Sequence, residues 1–207
     1  MDKLIDLSHL IRDGMPAYPG DPDTRLTQIR HLETDLYNNH SLHTGMHSGT
    51  HIDAPMHLTK RDEYISELPL QSFIGAGCVL DVRGQMIIGM REEYRQQISE
   101  KSIVLLYTGW DQHWGTDTYF GDHPVVDAEL AAHLIEKQVK LLGVDTPSPD
   151  HPPCAIHKQL FAKDIYIMEN LTNLGSLLSA GRFEVIALPL RIRADASIAR
   201  AIARVKE

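Results

Sequence analysis

This chain has few cysteines and no long apolar runs. The first shortage argues against a disulfide-rich protein, and the second argues against a membrane-spanning one. Its 207 residues include two cysteines, Cys78 and Cys154, too few for a disulfide framework and without CxxC spacing. We therefore expect a reducing compartment, the cytoplasm. No stretch approaches the roughly 18 apolar residues of a membrane span, and the first residues carry Asp2, Asp6 and Asp13 instead of a signal peptide's apolar run.

Positive charge is also scarce. The chain has 20 Lys and Arg residues against 28 Asp and Glu, a formal net charge of −8. This balance argues against a nucleic acid or an anionic membrane as the main partner. The length fits one domain, residues 1–207, that can bury a full core without a structural metal. Any metal bound here is therefore expected to serve chemistry.

Strand patterns alternate with helix patterns after about Leu70, whereas the first third reads as short strands joined by turns. The apolar strand candidates are Cys78–Val82, Ile103–Tyr107, Lys140–Val144, Ile165–Met168 and Phe183–Leu190. The helix candidates are Arg91–Glu100, Asp127–Lys140, Ala155–Ala162 and Thr172–Ser179. This alternation predicts an α/β domain with a central, largely parallel or mixed sheet flanked by helices.

Three predicted strands end in polar residues. These ends are Tyr107-Thr108-Gly109, Val144-Asp145-Thr146 and Met168-Glu169-Asn170. In open sheets of this kind, ligands collect beyond the carboxyl ends of the strands. We therefore expect part of the functional site at this edge.

The segment from His47 to His57 concentrates metal-binding side chains. It reads HSGTHIDAPMH, three imidazoles and one carboxylate within eleven residues. Imidazole nitrogens and carboxylate oxygens are the ligands that zinc and manganese accept, and such an ion can drive hydrolysis at neutral pH. Surface or capping histidines would be the ordinary interpretation of each residue alone, but their clustering favours a metal site in a hydrolase.

The local backbone of this segment is expected to be extended and bent. Gly49, Thr50 and Pro55 disfavour a helix, and in a strand His47, His51 and Asp53 share one face because alternate side chains do so. Full extension would separate the His47 and His51 backbones by roughly 13 Å, too far for one ion. Gly49 is the expected bend, since glycine adopts dihedrals closed to other residues.

The motif HxGTHxDxPxH resembles the signature of the cyclase family of metal-dependent hydrolases, which includes bacterial kynurenine formamidase and isatin hydrolase. The similarity extends along nearly the whole chain. Further matching segments are Asp6-Leu7-Ser8, Tyr18-Pro19-Gly20-Asp21, Gly143-Val144-Asp145-Thr146-Pro147-Ser148, Glu169-Asn170-Leu171, Ala187-Leu188-Pro189-Leu190 and Asp195-Ala196-Ser197. The resemblance implies a swivelling β/β/α-like fold and a homo-oligomer, a dimer or a tetramer.

The resemblance also implies a ligand set for two divalent ions. His47, His51 and Asp53 would bind the first, and Asp53, His157 and Glu169 the second. Taken alone, His157 would be an exposed helix residue and Glu169 a solvated strand end. Nothing in the donor set separates zinc from manganese; we favour zinc.

His57 is the candidate proton shuttle on the same grounds, with a third metal ligand or a plain loop histidine as the alternatives. The implied reaction is cleavage of a C–N bond in a formamide or cyclic amide by a metal-activated hydroxide. Arylformamidase activity, converting N-formylkynurenine to kynurenine and formate in tryptophan catabolism, is the best named hypothesis. An isatin hydrolase-like or other amide or lactone hydrolase, ring closure by dehydration, and a non-catalytic metal-binding module are the alternatives.

The substrate, a small molecule, is expected to meet an aromatic wall. Tyr18 lies where the resembled formamidases have an aromatic residue, frequently tryptophan, and its ring can stack on an aryl group. Trp110 and Trp114 either add to this wall or belong to the core. The loop from Pro147 to Ala155 is predicted to shape the mouth of the pocket.

Overall fold

The computed structural model describes residues 2–206 as a mixed α/β fold. Its strands are β1 (Lys3–Asp6), β2 (Arg25–Arg30), β3 (Asn39–His43), β4 (His51–Asp53), β5 (Ile74–Asp81), β6 (Ile87–Ile88), β7 (Ile103–Tyr107), β8 (Val125–Val126), β9 (Leu141–Val144), β10 (Tyr166–Glu169), β11 (Phe183–Pro189) and β12 (Ala196–Val205). Its helices are α1 (Leu32–Asp35), α2 (Glu92–Gln97), α3 (Ala128–Glu136) and α4 (Ala155–Phe161).

Eight of the strands form one sheet that closes on itself. The order is β1-β12-β11-β5-β7-β9-β10-β4, and β4 pairs again with β12. Strands β5, β7, β9 and β10 run parallel, whereas β4 is antiparallel to both of its neighbours. The predicted mixed sheet flanked by helices is confirmed, but it is a closed barrel and not an open sheet. The swivelling β/β/α arrangement stays a prediction.

Alternating side chains of β7 supply two separate hydrophobic clusters. Ile103 and Leu105 pack in one cluster, on the face of the sheet away from the helices. Val104 and Leu106 pack in the other, together with apolar residues of α2, α3 and α4 such as Leu134. Each large aliphatic side chain buried in this way contributes about 1.5–3 kcal/mol to stability. The sheet is thereby fixed from both faces and provides a rigid support for the residues at its edge.

The predicted elements of the second half fall close to the observed ones. Five predicted strands correspond to β5, β7, β9, β10 and β11, and three predicted helices to α2, α3 and α4. As predicted, Asp127 caps α3: its carboxylate accepts a hydrogen bond from the Leu130 backbone N–H at 2.8 Å. The helix predicted over Thr172–Ser179 is wrong, because only a 3-10 turn, Leu174–Leu177, forms after Asn173 adopts a left-handed conformation.

The last strand, β12, has no counterpart among the sequence predictions. Its sequence, ASIARAIARV, is rich in alanine and arginine, which intrinsically favour helices. Tertiary packing overrides that preference: Ala201 and Ala203 are fully buried in the sheet, while Arg200 reaches Asp6 on the exposed side. Small side chains fit here because β12 pairs with β1, β11 and β4.

A hairpin formed by β2, α1 and β3 stands apart from this sheet. The two strands pair with each other, and no residue of α1 or β3 is buried. Its exposed large apolar residues are Ile29, Leu32, Leu36, Tyr37 and Leu42. Within residues 2–206, no helix has both the length and the apolar character needed to span a bilayer.

The turn before β4 depends on Gly49. Its φ is +62°, in the left-handed region that favours glycine, as the metal motif predicted. The turn aims the Gly49 carbonyl at two side chains: His51 Nδ1 donates to it at 2.8 Å and Asn170 Nδ2 at 3.0 Å. A Cβ on Gly49 would come within 2.6 Å of the terminal methyl of Met15, which is buried.

Candidate metal centre

Strand register places the key side chains side by side. In the antiparallel pairing of β4 with β10, His51 lies opposite Glu169 and Asp53 opposite Ile167. On its other edge β4 pairs with β12, where Asp53 lies opposite Ala196. Since alternate residues of a strand share a face, His51 and Asp53 project together toward Glu169. All three side chains are buried.

The five predicted ligands converge around the Asp53 carboxylate. Its Oδ1 lies 2.9 Å from His47 Nδ1 and 3.4 Å from His51 Nε2. Its Oδ2 lies 3.7 Å from His157 Nε2. Glu169 contributes one oxygen 3.3 Å from His51 Nε2 and the other 3.3 Å from His157 Nε2. Residues separated by more than 100 positions in the chain thus meet at one point.

These residues fit a bound cation, because several buried polar atoms have no hydrogen-bond partner. The unpartnered atoms include His51 Nε2, Asp53 Oδ1 and Glu169 Oε1. Their close contacts lack hydrogen-bond alignment, and each such buried atom costs about 1–3 kcal/mol if nothing satisfies it. Imidazole nitrogens and carboxylate oxygens that point at one another in this way are the donor set of a divalent metal.

Asp53 belongs to two groups of potential ligand atoms. One group combines it with His47 and His57, the other with His51 and Glu169, and the atoms of each group lie within 4.8 Å of one another. A carboxylate with two oxygens shared in this way is suited to bridge two ions. Because His57 is itself a member of the first group, its alternative role as a metal ligand is consistent with the structure.

Two of the histidine ligands are oriented by their second ring nitrogen. His51 Nδ1 donates to the Gly49 carbonyl at 2.8 Å. His157 Nδ1 donates to Asp150 Oδ1 at 2.6 Å, and the other Asp150 oxygen accepts the backbone N–H of Ile156 at 2.7 Å at the start of α4. Hydrogen bonds of this kind fix the ring and leave the opposite nitrogen free to bind metal.

His57 lies at the edge of the centre and contacts Asp195. Its Nδ1 is 3.2 Å from Asp195 Oδ2, and the same oxygen lies 3.0 Å from His47 Nε2. The His47 and His57 ring centroids are 4.1 Å apart. The candidate proton shuttle, His57, therefore lies next to a candidate metal ligand. Its Nδ1 faces Asp195, which leaves the Nε2 of His57 for proton transfer.

The electrostatics of the metal-free centre favour positive charge. Burial alone would lower the pKa of His47 and His51, but the Asp53 carboxylate outweighs it and raises these pKa values to about 9 and about 10. Burial would likewise raise the pKa of Asp53, yet His47 and His51 hold it well below its usual range. Protons on the imidazoles thus balance the buried carboxylates when no metal does.

A cavity of about 280 Å³ opens above these ligands. Tyr18 lines it and meets the ring of Phe120 edge to face at 5.7 Å between centroids, while its contact with substrate stays a prediction. The loop predicted to shape its mouth contributes Pro147, Ser148, Asp150, Pro152 and Cys154. The cavity therefore combines one polar, ligand-rich end with an aromatic and proline-rich wall.

Neither tryptophan lies among the residues that line this cavity. Trp110 donates its indole N–H to the Tyr119 carbonyl at 2.9 Å, and Trp114 stacks on His9 with 4.1 Å between centroids. Both rings pack behind the wall, so of the two alternatives left open for them the structure favours packing away from the pocket. Phe120, a few residues later in the same loop, provides the aromatic surface in their place.

The three polar strand ends have different surroundings. Glu169 ends β10 in the candidate metal centre. Asp145 turns away from it: its fully buried carboxylate accepts hydrogen bonds from Thr108 and from the backbone N–H of Gly109 at 2.8 Å. Burial raises the pKa of Asp145 to about 6. This carboxylate holds the loop after β7 in place.

Sequence reasoning missed four residues that complete the site. They are Phe120, Asp150, Asn170 and Asp195. Asp150 and Asn170 lie next to predicted ligands in the chain, and Asp195 lies in a segment that carries the family resemblance, so each could have been considered as a partner for a histidine. Phe120 directly follows Tyr119 in the segment GTDTYF and gave no signal.

Comparison with known proteins agrees with this geometry. Residues 5–151 match the family model described as "Putative cyclase". The chain belongs to this cyclase family. Kynurenine formamidase from Bacillus thuringiensis (strain Al Hakam) is 32% identical over 205 residues, which is 97% of this chain and 96% of the relative.

Two solved structures extend the agreement to the fold of this cyclase-family chain. Isatin hydrolase A from Labrenzia aggregata, bound to benzyl benzoate, superimposes with a TM-score of 0.88 at 25% identity, covering 100% of this chain and 94% of that one. A potential metal-dependent hydrolase with cyclase activity superimposes over the whole of both chains with a TM-score of 0.80, also at 25% identity. The chain is a hydrolase of the cyclase family.

Metal binding by this cyclase-family protein should release protons. At pH 7 the raised pKa values leave His47, His51 and His157 protonated in the metal-free state, and all three imidazoles must be neutral to bind ions. We expect full zinc loading to displace about three protons, so that the apparent affinity rises by about tenfold per pH unit for each proton. Calorimetry in buffers of different ionisation enthalpy measures the number released.

The variant His47→Gln removes one of these imidazoles and should release about one proton fewer than the unaltered protein. Zinc binding without proton uptake by the buffer would contradict the charge balance described here.

Substitution at Gly49 should weaken metal binding as well as the fold. Gly49→Ala forces a side chain into the left-handed region, which costs about 1–2 kcal/mol, and it displaces the carbonyl that orients His51. Gly181→Ala is the matched control, since Gly181 has a similar φ of +65° with open space around it. Urea denaturation should show a loss for both and a larger one for Gly49→Ala, whose new Cβ also meets the buried Met15 methyl. A competition assay should show weaker zinc binding only for Gly49→Ala.

Proposed function

We propose that this protein is a dinuclear metal-dependent hydrolase that cleaves the C–N bond of an aryl formamide. The best candidate reaction converts N-formylkynurenine to kynurenine and formate, a step of tryptophan catabolism. The 32% identity to kynurenine formamidase over nearly the whole chain supports this choice. The observation that carries the proposal is the buried Asp53 carboxylate at the floor of a cavity, with Oδ1 facing His47 and His51 and Oδ2 facing His157.

His47, His51 and Asp53 would hold one ion, and Asp53, His157 and Glu169 the other. Zinc is favoured and manganese is acceptable, because the donors are imidazole and carboxylate without a required thiolate. When bound, the ions supply Lewis-acid chemistry: they polarise a carbonyl group and lower the pKa of a water molecule. The protein contributes the orientation of each ligand, through Gly49 for His51 and Asp150 for His157.

His57 is the proposed general acid–base residue. With Nδ1 engaged by Asp195, its Nε2 is available to accept a proton from the attacking water. The oxygen of that water forms a new bond to the formyl carbon, the C–N bond breaks, and the same Nε2 returns the proton to the departing amine nitrogen. Formate and a free amine result, so no other reactant is required. Transfer of this kind contributes about 10²–10⁴-fold to a rate.

The cavity wall suits a flat, apolar group beside the scissile bond. Tyr18 and Phe120 present their rings to the cavity in an edge-to-face pair, and an aryl substituent can extend that arrangement. Isatin, a cyclic aryl amide, is the second candidate substrate, favoured by the TM-score of 0.88 to isatin hydrolase A. In both substrates the nitrogen of the scissile C–N bond is attached to an aromatic ring.

We also propose that the protein acts in the cytoplasm as a homo-oligomer, a dimer or a tetramer, with a small molecule and neither nucleic acid nor membrane as its partner. Both cysteines are free, which suits a reducing compartment. The apolar side chains of the β2–β3 hairpin support association, because a two-stranded sheet is marginally stable unless its apolar residues are covered.

The activity test compares the unaltered protein with His57→Ala after both are loaded with zinc. We expect hydrolysis of N-formylkynurenine, followed by the absorbance of kynurenine, with close to two metals per chain. His57→Ala should lose about 10²–10⁴-fold in kcat with its metal content unchanged. His40→Ala is the matched control, because His40 lies on the exposed strand β3 and should leave kcat unaltered.

Full activity in His57→Ala would remove this residue from the mechanism. Hydrolysis of isatin but not of N-formylkynurenine would assign the second substrate. Failure to hydrolyse amides or esters of either class, with two metals bound, would favour a non-catalytic metal-binding module and overturn the proposed function.

Association is tested by light scattering coupled to size-exclusion chromatography. We expect a mass of two or four chains for the unaltered protein and a smaller mass for Leu36→Asp, which puts a charge on a hairpin residue that is 88% exposed. Ile87→Asp, at a 69% exposed position away from the hairpin, is the control. A monomeric unaltered protein, or equal masses for all three, would contradict the role of the hairpin.

A further inference from the structure

One carboxylate oxygen contacts two imidazoles that have different proposed tasks. Asp195 Oδ2 lies 3.0 Å from Nε2 of His47, a candidate metal ligand, and 3.2 Å from Nδ1 of His57, the candidate proton shuttle. An ionised carboxylate only accepts hydrogen bonds. Both ring nitrogens that face Asp195 must therefore carry hydrogen when these contacts form.

We propose that Asp195 is a positioning residue that fixes the tautomers of His47 and His57 together. With hydrogen on Nε2, neutral His47 presents the lone pair of Nδ1, the atom 2.9 Å from Asp53 Oδ1, to the metal. With hydrogen on Nδ1, neutral His57 keeps the lone pair of Nε2 for proton transfer. This inference rests on the proposed function for the task of His57, but the tautomers themselves can be observed without any substrate.

Strand pairing explains why Asp195 is held at this point. It directly precedes β12, whose first residue, Ala196, pairs with Asp53 on β4. Its backbone carbonyl accepts the Ala54 N–H at 2.9 Å, which extends that pairing by one bond. The Asp195 side chain is therefore anchored beside the strand that carries the bridging carboxylate. It is not one of the cavity-lining residues and acts through the two imidazoles.

The other candidate histidine ligands have partners of their own. His51 uses the Gly49 carbonyl and His157 uses Asp150, and neither contact involves His57. Asp195 alone among these acceptors joins the metal centre to the proposed shuttle. Loss of Asp195 should accordingly change two properties, the affinity for metal and the tautomer of His57. Loss of a residue that orients a metal ligand alone, such as Asp150, would change only the affinity for metal.

The experiment removes this carboxylate in Asp195→Ala and compares it with Asp81→Ala. The two side chains have similar exposure, 41% and 39%, and Asp81 pairs with Arg83 on the surface. Competition with a chromophoric chelator should show that zinc binds about 10–100-fold more weakly to Asp195→Ala, and unaltered to Asp81→Ala. Asp195→Glu, which retains a carboxylate, should recover part of the affinity.

The second measurement is nitrogen NMR of the zinc-loaded proteins labelled at histidine, with His57→Gln used to assign the signal. We expect the Nδ1–H tautomer of His57 in the unaltered protein and in Asp81→Ala, and a mixture of tautomers in Asp195→Ala. A change in only one of the two properties would overturn the shared role, and so would a change in neither. If the unaltered protein does not hydrolyse N-formylkynurenine or isatin, the proposed function fails, while these two measurements still decide the role of Asp195.

Discussion

The site depends on the burial of two carboxylates, Asp53 and Glu169, among imidazoles. Burying an unpaired charge is costly, so the surroundings must supply compensating positive charge. In the metal-free protein, protons on His47 and His51 do so, as their raised pKa values indicate. The unpartnered atoms of the same cluster mark where a cation would replace those protons. The same constraint, positive charge next to two buried carboxylates, therefore accounts for both the raised histidine pKa values and the metal-binding geometry.

The barrel closure brings this cluster together. Strand β4 is only three residues long, yet it pairs on one side with β10 and on the other with β12. The first pairing puts His51 beside Glu169, and the second puts Asp195 beside the metal motif. The loop before α4 then adds Asp150 and His157 from the helix side. Backbone pairing thus combines segments that lie far apart in the chain, and the loop before α4 completes the cluster.

Sequence predicted the local parts of this arrangement and not the long-range ones. Apolar strands such as Ile103–Tyr107 were clear because their burial requires continuous hydrophobic residues. The Gly49 bend followed from the spacing of His47 and His51. The closure of the sheet could not be predicted, because β4 is too short for a periodic signal and the alanines of β12 resemble a helix. His157 and Glu169 required family resemblance, and Asp195 gains its meaning only from the pairing of β12 with β4.

The barrel closes where β4 pairs with β12, and this is also where the ions would bind. Closure of the barrel and ion binding are therefore coupled. Without a bound cation, this cluster keeps buried polar atoms that lack hydrogen-bond partners. They lie at β4, which has three residues and is the shortest strand of the barrel. Occupancy by an ion that binds only the closed form favours the folded state by mass action. A lower occupancy of the site would then reduce the fraction of folded protein.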